Sequence, residues 1–578
     1  MKNLASLLLV CFAISSHAQT NFVFSDSTIP DILQGNYNAD DYAQETVIDD
    51  PAIIFNSIQG EMSSVLLRDY VSMLESFGTR HTSSDTLSDI RGIGATRNWV
   101  MDKYVEFSQE NEDRLIPFFF QFDQDVCGLM DRHKNSCAIL PGTDPNSNGI
   151  ILVEAHMDSR CEGRCDIDCP APGADDNGSG TALLLEMARL MSRFSYEHTI
   201  LFMATTGEEQ GLIGAEAFAT YCVQEGVDIK AVFNNDVVGG IICGETSSPP
   251  SCPFEGAIDS TQVRMFSSGN DSKQLVRWIK LEYTEELLPI SEVPMMLTVM
   301  GPLDRAGRGG DHIPFFDRGY RVMRYTSANE HGDANVDDPD YHDHQHTTND
   351  LLGFDTDGDG VRDSLFVDFN YLARNTMINV IGAGAAATGP STPRFDFEIE
   401  GDSIRWTVED PLNLRHYRVA RRSTNNDFDT VFTFQNATTG LLPRLATPFF
   451  DQEVISGAGV DADGIESFFG TEEFFLTLSA TSDPIEDTSG YELLQNAKNP
   501  FSSSTLIQYK LGGDKSRVRD VSIVVTDVVG KEIDRIEGTN YLGINSFNYY
   551  AKPEMKGSYF YSLEINGTVI LTKQMIIL

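Results

Sequence analysis

Two glutamates, Glu208 and Glu209, stand side by side after the apolar run TILFMA, from which three residues separate them. Gly207 and Gly211 flank them, so the chain can turn sharply on either side of the pair. A carboxylate close to an apolar core is costly unless a cation or hydrogen-bond donors pair with it. The pair therefore indicates either the start of a surface helix or a chemical site, in which one carboxylate binds a cation and its neighbour transfers a proton.

Other acidic and imidazole side chains follow further apolar segments. They are His156 and Asp158 after ILVEA, Asp175 and Asp176 in PGADDNGSG, Asp236 after AVFNN, and His342, His344 and His346 in YHDHQHTTND. Zinc takes histidine nitrogen and carboxylate oxygen readily, and these groups suffice for two ions that share a bridging carboxylate. Two zinc ions can hold a hydroxide between them and polarise the carbonyl that it attacks. We therefore expect one of the adjacent glutamates to be a ligand and the other to be the general base.

Alternating strands and helices are predicted to position these groups. The predicted strands are IPFFFQFD, GIILVEAHMD, HTILFMATTG and IKAVFNNDVVG, and the helices between them include GTALLLEMARLMSRF and GLIGAEAFATYCVQ. Continuous apolar strands separated by helices predict an α/β fold with a mixed, largely parallel sheet covered by helices on both faces. Sites in such sheets form at the carboxyl ends of the strands. We place this domain at residues 56–386.

The ordered motifs HMDS, PGADDNGSG, TTGEEQGLIGA, NND and HTTND resemble peptidase family M28, and the likeness spans about Ile58 to Ala385. This family contains co-catalytic zinc aminopeptidases, glutamate carboxypeptidases and glutaminyl cyclases. The resemblance implies a mixed sheet between helices and a zinc-dependent exopeptidase that acts on peptide or protein substrates. An aminopeptidase is the first expectation. A carboxypeptidase, a glutaminyl cyclase or a non-catalytic binding module are the alternatives.

The resemblance also assigns a role to each site residue, motif by motif. It implies five ligands for two zinc ions: His156 and Asp236 on one ion, Glu209 and His346 on the other, and Asp175 bridging both. Glu208 would be the general base. Asp158 would hydrogen-bond His156 and fix its tautomer.

The last zinc ligand departs from the pattern of the relatives. Relatives often have a tyrosine directly before this histidine, in a Tyr-His-Thr sequence. Here Tyr341 precedes His342, whereas His346 is the histidine that Thr347 follows. We therefore favour His346 as the ligand, with His344 as the next choice.

An acidic segment follows these histidines. In FDTDGDGVRDSLF, the residues Asp355, Asp357, Asp359 and Asp363 are spaced like the start of a calcium-binding loop. No glutamate stands at the twelfth position, so the segment is not a complete EF-hand. It is interpreted either as a calcium site, which would brace the loop carrying the last zinc ligand, or as a solvated acidic turn.

Charge and length limit the possible functions. The chain has 42 basic and 86 acidic residues and a net charge of −44. Because there is no basic excess to neutralise phosphate, we expect no nucleic-acid partner. A length of 578 residues exceeds what one hydrophobic core organises and predicts three or more domains. No segment beyond the N-terminus is apolar enough to span a bilayer, so no transmembrane segment is expected.

The N-terminus predicts export. Residues 1–18, MKNLASLLLVCFAISSHA, have the lysine, the apolar core and the small-residue exit of a signal peptide. An oxidising compartment favours disulfides among the other eight cysteines, which all lie between Cys127 and Cys252, although CEGRCDIDC also offers zinc ligands. Residues 19–55 contain many acids, no Lys or Arg, and weak periodicity. We interpret them as a propeptide or a flexible arm.

Two small all-β sandwich domains are predicted after the α/β domain. Short alternating strands at residues 394–482 indicate an antiparallel sandwich that resembles a fibronectin type III module. Residues 493–578, which include NPFSSSTLIQYKL and KQMIIL, resemble the type IX secretion sorting domain. This resemblance implies export through the periplasm and outer membrane, the type IX secretion machinery as a partner, and a secreted or cell-surface location.

Overall fold

A mixed β-sheet organises the N-terminal region in the computed structural model of this chain. The chain forms two units, the first covering Met1–Pro443 and Val454–Phe474 and the second covering Arg444–Glu453 and Phe475–Leu578. The predicted signal peptide lies outside the described residues. The structure describes residues 20–144, 149–241, 258–305, 308–328, 344–359, 362, 364–410, 414–423, 427–435, 437–444, 452–476, 491–496, 499–502, 504–511, 521–527, 530–538, 543–552, 555–565 and 568–578.

Within the described residues, nine strands form the central sheet. In chain order they are β1 (Thr20–Phe24), β2 (Ile116–Val126), β3 (Leu129–Leu140), β4 (Ile150–His156), β5 (Ile200–Thr205), β6 (Ile229–Asn235), β7 (Gln262–Phe266), β8 (Met296–Val299) and β9 (Val322–Ser327). Their order across the sheet is β1-β2-β3-β5-β4-β6-β9-β7-β8. The central strands β5, β4, β6 and β9 are parallel, and β3 extends the β5 edge by antiparallel pairing. β4, β5 and β9 are buried along their whole length, as expected for strands covered on both faces.

Helices cover both faces of this sheet. They are α1 (Ile29–Leu33), α2 (Pro51–Glu61), α3 (Ser64–Ser76), α4 (Gly92–Glu110), α5 (Gly178–Met191), α6 (Ile213–Glu225), α7 (Asn270–Glu282), α8 (His312–Phe316) and α9 (Phe369–Thr388). One hydrophobic cluster includes α2, α3, α4, α5, α7 and α9, and another includes α1, α6 and α8. Nowhere in the described part of the chain does a helix combine the length and apolar character needed to cross a membrane. The predicted α/β fold class is confirmed.

The interpretation of residues 19–55 as a flexible arm is wrong. β1 pairs antiparallel with β2 and forms one edge of the central sheet. Phe24 packs against Phe120 with ring centroids 5.1 Å apart, and Ile29 and Ile32 of α1 are buried in the same hydrophobic cluster. The acidic composition of this segment concealed these few apolar side chains, which are enough to anchor it to the sheet.

Among the described residues, two of the six cysteines that were expected in disulfides are free. The structure contains Cys127–Cys165 and Cys161–Cys169, so the CEGRCDIDC cysteines are bonded to other cysteines rather than arranged as a zinc site. The prediction of a disulfide is wrong for residues 137 and 222, which are free and buried on β3 and α6. Both lie in a hydrophobic cluster, where a thiol packs like a small apolar side chain. Residues 243 and 252 lie outside the described residues.

Between the central sheet and the β-rich part of the chain, β10 (Gly353–Phe354) and β11 (Ser364–Leu365) form a short antiparallel ribbon. The strands that follow α9 are β12 (Phe395–Glu400), β13 (Ser403–Val408), β14 (His416–Arg422), β15 (Thr430–Gln435), β16 (Thr439–Pro443), β17 (Gln452–Val460) and β18 (Glu473–Leu476). They form a three-stranded sheet, β12-β13-β16, and a four-stranded sheet, β15-β14-β17-β18. The likeness to a fibronectin type III module stays a prediction.

The β-module, defined here as residues 394–443 and 454–474, shares a hydrophobic cluster with the α/β region. Phe468 packs edge-on against Trp278 of α7, with ring centroids 4.7 Å apart. The buried Glu472 carboxylate accepts hydrogen bonds from Arg277 of α7 at 2.7 Å and from Arg422 at 2.6 Å. Because these contacts join the module to α7 in one core, we expect the two to unfold together.

Glu472→Gln is expected to lower the free energy of unfolding of the first unit by about 3 kcal/mol, because it leaves the buried guanidinium of Arg277 and the partly buried one of Arg422 without their carboxylate. Urea unfolding of both proteins, followed by tryptophan fluorescence, measures this change. The control Glu400→Gln breaks an exposed pair with Arg405 and is expected to cost less than about 0.5 kcal/mol. Equal stability of the two variants would contradict the assignment of Glu472 to the core.

The second unit contains its own β-structure. Its strands include β19 (Glu492–Leu493), β20 (Ser504–Leu511), β21 (Val521–Thr526), β22 (Glu532–Glu537), β23 (Gly543–Tyr550), β24 (Gly557–Ile565) and β25 (Thr568–Ile577). They form a three-stranded sheet, β19-β20-β23, and a four-stranded sheet, β22-β21-β24-β25. Ile507, Ile523, Tyr561 and Met575 are buried in a hydrophobic cluster of this unit. The unit is therefore a small all-β domain, and its role as a sorting domain stays a prediction.

Candidate metal centre

The carboxyl ends of neighbouring parallel strands bring most of the predicted site residues together. β4 ends at His156, β5 ends shortly before Glu208, and β6 ends directly before Asp236. Because β5, β4 and β6 are neighbours, these ends lie at one edge of the sheet. The loop that contains Asp176 leads into α5, and His346 lies in the segment before α9.

His156, Asp176 and Asp236 form the first group of candidate ligands. His156 Nε2 lies 3.3 Å from Asp176 Oδ1 and 3.4 Å from Asp236 Oδ1. All three residues are buried, and their ligand atoms lie within 4.8 Å of one another. Arg324 pairs with the other oxygen of Asp236, Oδ2, at a distance of 3.0 Å. This pair orients the carboxylate so that Oδ1 is the oxygen closer to the imidazole.

Asp176, Glu209 and His346 form the second group. His346 Nε2 lies 3.2 Å from Asp176 Oδ2 and 3.3 Å from Glu209 Oε2. The ligand atoms of this group also lie within 4.8 Å of one another. Asp176 belongs to both groups, because Oδ1 is near His156 and Oδ2 is near His346. A carboxylate in this position can bridge two cations.

The prediction that Asp175 is the shared carboxylate is wrong, because Asp176 occupies that position. The Asp175 side chain instead accepts hydrogen bonds of 3.0 Å from the backbone N–H groups of residues 239 and 240. The Asp350 carboxylate accepts from the backbone N–H groups of Asp175 at 3.0 Å and of Asp176 at 2.9 Å. These bonds hold the loop in a register that turns Asp176 towards the histidines and Asp175 towards the chain after β6.

The structure places His346, and not His344, among the candidate ligands. His344 instead stacks on Phe366, with ring centroids 4.5 Å apart. His346 has a positive φ of 62°, a backbone conformation that non-glycine residues seldom adopt. Tyr341 and His342 lie outside the described residues.

Asp158 supports the site through its backbone carbonyl and through its carboxylate. His156 Nδ1 lies 3.1 Å from the backbone carbonyl of Asp158 and 3.7 Å from its carboxylate, so the hydrogen bond between these two residues is made by the main chain of Asp158. The carboxylate accepts from the backbone N–H groups of Glu208 and Glu209, both at 3.3 Å. Both donors are within reach of this carboxylate because the chain turns tightly after β5. Asp158 thus orients His156 by its carbonyl oxygen and the glutamate pair by its side chain.

Glu208 lies beside the candidate ligands but belongs to neither group. It lines a cavity of about 360 Å³ that the candidate ligands also line. Burial raises the pKa of the Glu208 carboxyl well above its usual range. Gly207 allows the turn, because its φ is +74° and a Cβ there would lie 2.2 Å from Ile213 Cγ1. The two adjacent glutamates therefore occupy different positions, one in a ligand group and one on the cavity wall.

The residues present fit zinc. Two imidazoles and three carboxylates form two donor groups of the kind that zinc binds in proteins. Glu209 Oε1 is buried and, within the described residues, has no hydrogen-bond donor. Burial raises the pKa of Glu209 to about 7, because removal of a carboxylate from water disfavours its charged form unless nearby positive charge compensates for it. A cation between these carboxylates would provide that compensation.

Three charged residues that support the ligands were not assigned these roles from the sequence. Arg160 Nε lies 3.0 Å from Glu209 Oε2, and its Nη2 lies 2.7 Å from His346 Nδ1. Asp350 belongs to the HTTND motif, so the sequence marked it as a residue of the site. Its hydrogen bonds to the loop before α5 could not be predicted, because they depend on the fold. Arg324 lies on β9, and only the strand order places it next to Asp236.

The acidic loop brings together three of the four aspartates that were predicted to bind calcium. Carboxylate oxygens of Asp355, Asp357 and Asp359 lie within 4.8 Å of one another, and all three residues are exposed. Two of these carboxylates accept backbone N–H groups within the turn. Asp363 lies outside the described residues. An exposed acidic turn forms such a cluster without a cation, so calcium binding stays a prediction.

Known structures include similar folds at low sequence identity. The LapA aminopeptidase of Legionella pneumophila aligns with 59% of this chain and 76% of its own, at 17% identity and a TM-score of 0.41. The glutaminyl cyclase of Porphyromonas gingivalis aligns with 56% of this chain and 97% of its own, at 18% identity and a TM-score of 0.40.

Sequence comparisons identify the family. The model of peptidase family M28 matches residues 135–357, the part of the chain that carries the candidate ligands. A probable zinc metalloprotease of Leptosphaeria maculans is 30% identical over 385 residues, which cover 63% of this chain and 84% of the relative. A probable zinc metalloprotease of Pyrenophora tritici-repentis is 29% identical over 385 residues, which cover 63% of this chain and 76% of the relative. On the strength of these matches, this chain belongs to peptidase family M28.

Proposed function

We propose that this protein is a di-zinc metallopeptidase that removes residues from peptide ends, as an aminopeptidase. One observation carries the proposal: the two oxygens of Asp176 face two separate pairs, His156 with Asp236 and Glu209 with His346. A single ion needs only one such group. Two groups joined by a shared carboxylate support a pair of ions.

Each ion would take one histidine, one terminal carboxylate and a share of Asp176. When bound, zinc supplies a water molecule of lowered pKa and polarises the carbonyl of the peptide bond. Arg324 on Asp236, and Arg160 on Glu209, hold the outer ligands in their orientation.

Glu208 would carry the proton in the reaction. Its carboxylate accepts the proton from the attacking water and then gives it to the nitrogen of the leaving amine. Two features support this role: Glu208 lines the cavity that the candidate ligands also line, and it belongs to neither ligand group. Asp158 would position this carboxylate by holding the backbone N–H of Glu208.

Removal of metal is expected to lower peptide hydrolysis by more than about a hundredfold, because the ions activate both reactants. The measurement is cleavage of short peptides before and after chelation, followed by addition of zinc or of calcium. Zinc is expected to restore hydrolysis and calcium is not. Full activity in metal-free protein would contradict the proposal.

The same experiment separates the alternatives. Peptides blocked at the N-terminus resist an aminopeptidase, and peptides amidated at the C-terminus resist a carboxypeptidase. A glutaminyl cyclase would convert an N-terminal glutamine without peptide cleavage. A non-catalytic module would bind peptides but leave all of them intact.

Export is the second part of the proposal. Two disulfides in one domain support an oxidising compartment, because such bonds are rare in the cytosol. We propose that the protein acts outside the cell and reaches it by type IX secretion. Detection of the protein only in the cytoplasm of the source cells would contradict this part.

A further inference from the structure

A second cavity, of about 810 Å³, lies between the β-module and the helices α2 and α9. None of the described residues that line it also lines the cavity at the candidate metal centre. Its volume is within the range of about 300–1,000 Å³ that small-molecule sites usually have. The cavity is therefore large enough for a ligand and separate from the site proposed for peptide hydrolysis.

One part of the lining is apolar, because two helices each turn one face towards the cavity. Ile54 and Ile58 of α2 are four residues apart, and Ile381 and Ala385 of α9 have the same spacing. Side chains with this spacing lie on the same face of a helix. The two helices therefore offer a surface against which an apolar body can pack.

The rest of the lining carries more negative than positive charge. Its described residues include two guanidinium groups, Arg415 and Arg418, and six carboxyl groups, those of Asp50, Glu282, Glu285, Glu286, Asp463 and Glu466. Arg418 is divided between two of these carboxyl groups: it donates to Glu285 at 2.6 and 2.8 Å, and its Nη1 lies 3.3 Å from Glu466 Oε1. The charge of the lining is thus complementary to a cation.

Two of the carboxyl groups have raised pKa values. Burial raises the pKa of Glu466 to about 8, against the opposite effect of Arg418. Burial, and then the carboxylates of Glu466 and Glu286, raise the pKa of Glu282 well above its usual range. Even with both groups protonated, four carboxylates remain against two guanidinium groups. A positive charge beside Glu282 and Glu466 would favour their charged form.

Two buried polar groups of the lining lack a hydrogen-bond partner within the part of the chain that the structure describes. Tyr196 is 3% exposed, and its hydroxyl oxygen has no partner. Glu466 is 4% exposed, and its Oε2 has no donor. Because buried polar groups in proteins nearly always have a partner, these two oxygens indicate that a donor from outside the chain occupies the cavity.

We propose that this cavity binds a small organic ammonium ion, a primary amine carried on an apolar body. The body would pack against α2 and α9, and the ammonium group would donate to the Glu466 carboxylate and the Tyr196 hydroxyl. An ammonium group has three N–H donors and no acceptor, so it matches a lining with unpaired acceptors. A ligand with a carboxylate would instead meet like charge. The proposal does not depend on the proposed peptidase function.

Three probes of similar shape test the proposal: 4-phenylbutylamine, 4-phenylbutan-1-ol and 4-phenylbutyrate. Their binding is measured by calorimetry on the full chain loaded with zinc, at pH 8, where a primary amine with a pKa of about 10 is charged. We expect the amine to bind about tenfold tighter than the alcohol, the usual effect of a charge-assisted hydrogen bond. The carboxylate is expected to show no binding below about 1 mM.

Two variants locate the bound amine. Glu282→Gln is expected to reduce the preference for the amine over the alcohol to less than about threefold. Gly384→Leu is expected to weaken both ligands by about tenfold, because it fills the cavity. A Cβ at Gly384 would lie 3.8 Å from Tyr196 Cε1, an ordinary van der Waals distance, so the larger side chain has room. The control Glu400→Gln, at an exposed pair with Arg405, is expected to keep the preference.

The outcomes decide this site separately from the peptidase. Equal binding of the amine and the alcohol, or no binding of either below about 1 mM, overturns the proposal. An amine preference that survives in both variants also overturns it, because the amine then binds elsewhere, such as at the metal ions. If Glu282→Gln does not fold, the amine and alcohol affinities of the wild type and of Gly384→Leu decide. All folded variants are expected to keep the wild-type rate of peptide hydrolysis, because none of the altered residues lines the metal-site cavity.

Discussion

Glu208→Gln is expected to lower kcat for peptide hydrolysis by about a hundredfold to ten-thousandfold, because the amide cannot accept the proton of the attacking water. The side chain keeps its size and its place on the cavity wall. Glu208 belongs to neither ligand group, so the zinc content of the variant is expected to equal that of the wild type. The measurement is steady-state hydrolysis of a short peptide combined with metal analysis of the same sample.

Glu186→Gln is the matched control for this variant. Glu186 is a buried carboxylate on α5 that pairs with Arg189 at 2.7 Å and does not line the cavity. Its replacement is expected to lower stability and to leave kcat unchanged. Near-normal kcat in Glu208→Gln would remove the general-base assignment, and a loss of zinc in that variant would make Glu208 a ligand.

Asp176→Asn is expected to lower both zinc content and activity. The loss of activity should exceed about a hundredfold, because about a hundredfold is the largest usual effect of replacing a residue that only supports a metal ligand. The reason is that Asp176 supplies one oxygen to each ligand group. An asparagine offers one neutral oxygen in place of two charged ones. Zinc titration, followed by metal analysis after dialysis, measures the change.

Asp175→Asn also tests the assignment of Asp176, rather than Asp175, as the carboxylate shared by the two ligand groups. The Asp175 carboxylate accepts N–H groups from residues 239 and 240, and an asparagine oxygen can replace that acceptor. We therefore expect near-normal zinc content and a loss of activity within about tenfold. A larger effect at Asp175 than at Asp176 would contradict the register of this loop in the structure.

The sequence was sufficient to predict the fold class and the edge of the sheet at which the candidate ligands meet. Apolar strands such as β4 and β5 are buried on both faces, so their composition alone identified them. Polar residues at the ends of these strands had to meet at one edge, because parallel neighbours end on the same side. His156, Glu209 and Asp236 are located by this argument.

Residues in loops could not be assigned with the same certainty. Asp175 and Asp176 are adjacent and chemically identical, and the choice between them depends on the bonds that Asp350 makes to their backbone. The side-chain acceptor role of Asp158 likewise depends on how tightly the chain turns after β5. Such choices follow from the folded backbone and not from composition or spacing.

Contacts between distant segments were the least predictable. Phe24 and Ile29 anchor the acidic N-terminal segment through a few apolar contacts, which its average composition conceals. Phe468 and Glu472 join the β-module to α7 through one aromatic pair and one buried ion pair. Neither set has a periodic pattern that marks it in the sequence.

A crystal of the zinc-loaded protein, measured at the zinc absorption edge, tests the central claim most directly. The account predicts two anomalous peaks, one beside His156 and Asp236 and the other beside Glu209 and His346. The Asp176 carboxylate should lie between them. A single peak, or two peaks with Asp176 turned away from both, would contradict the account.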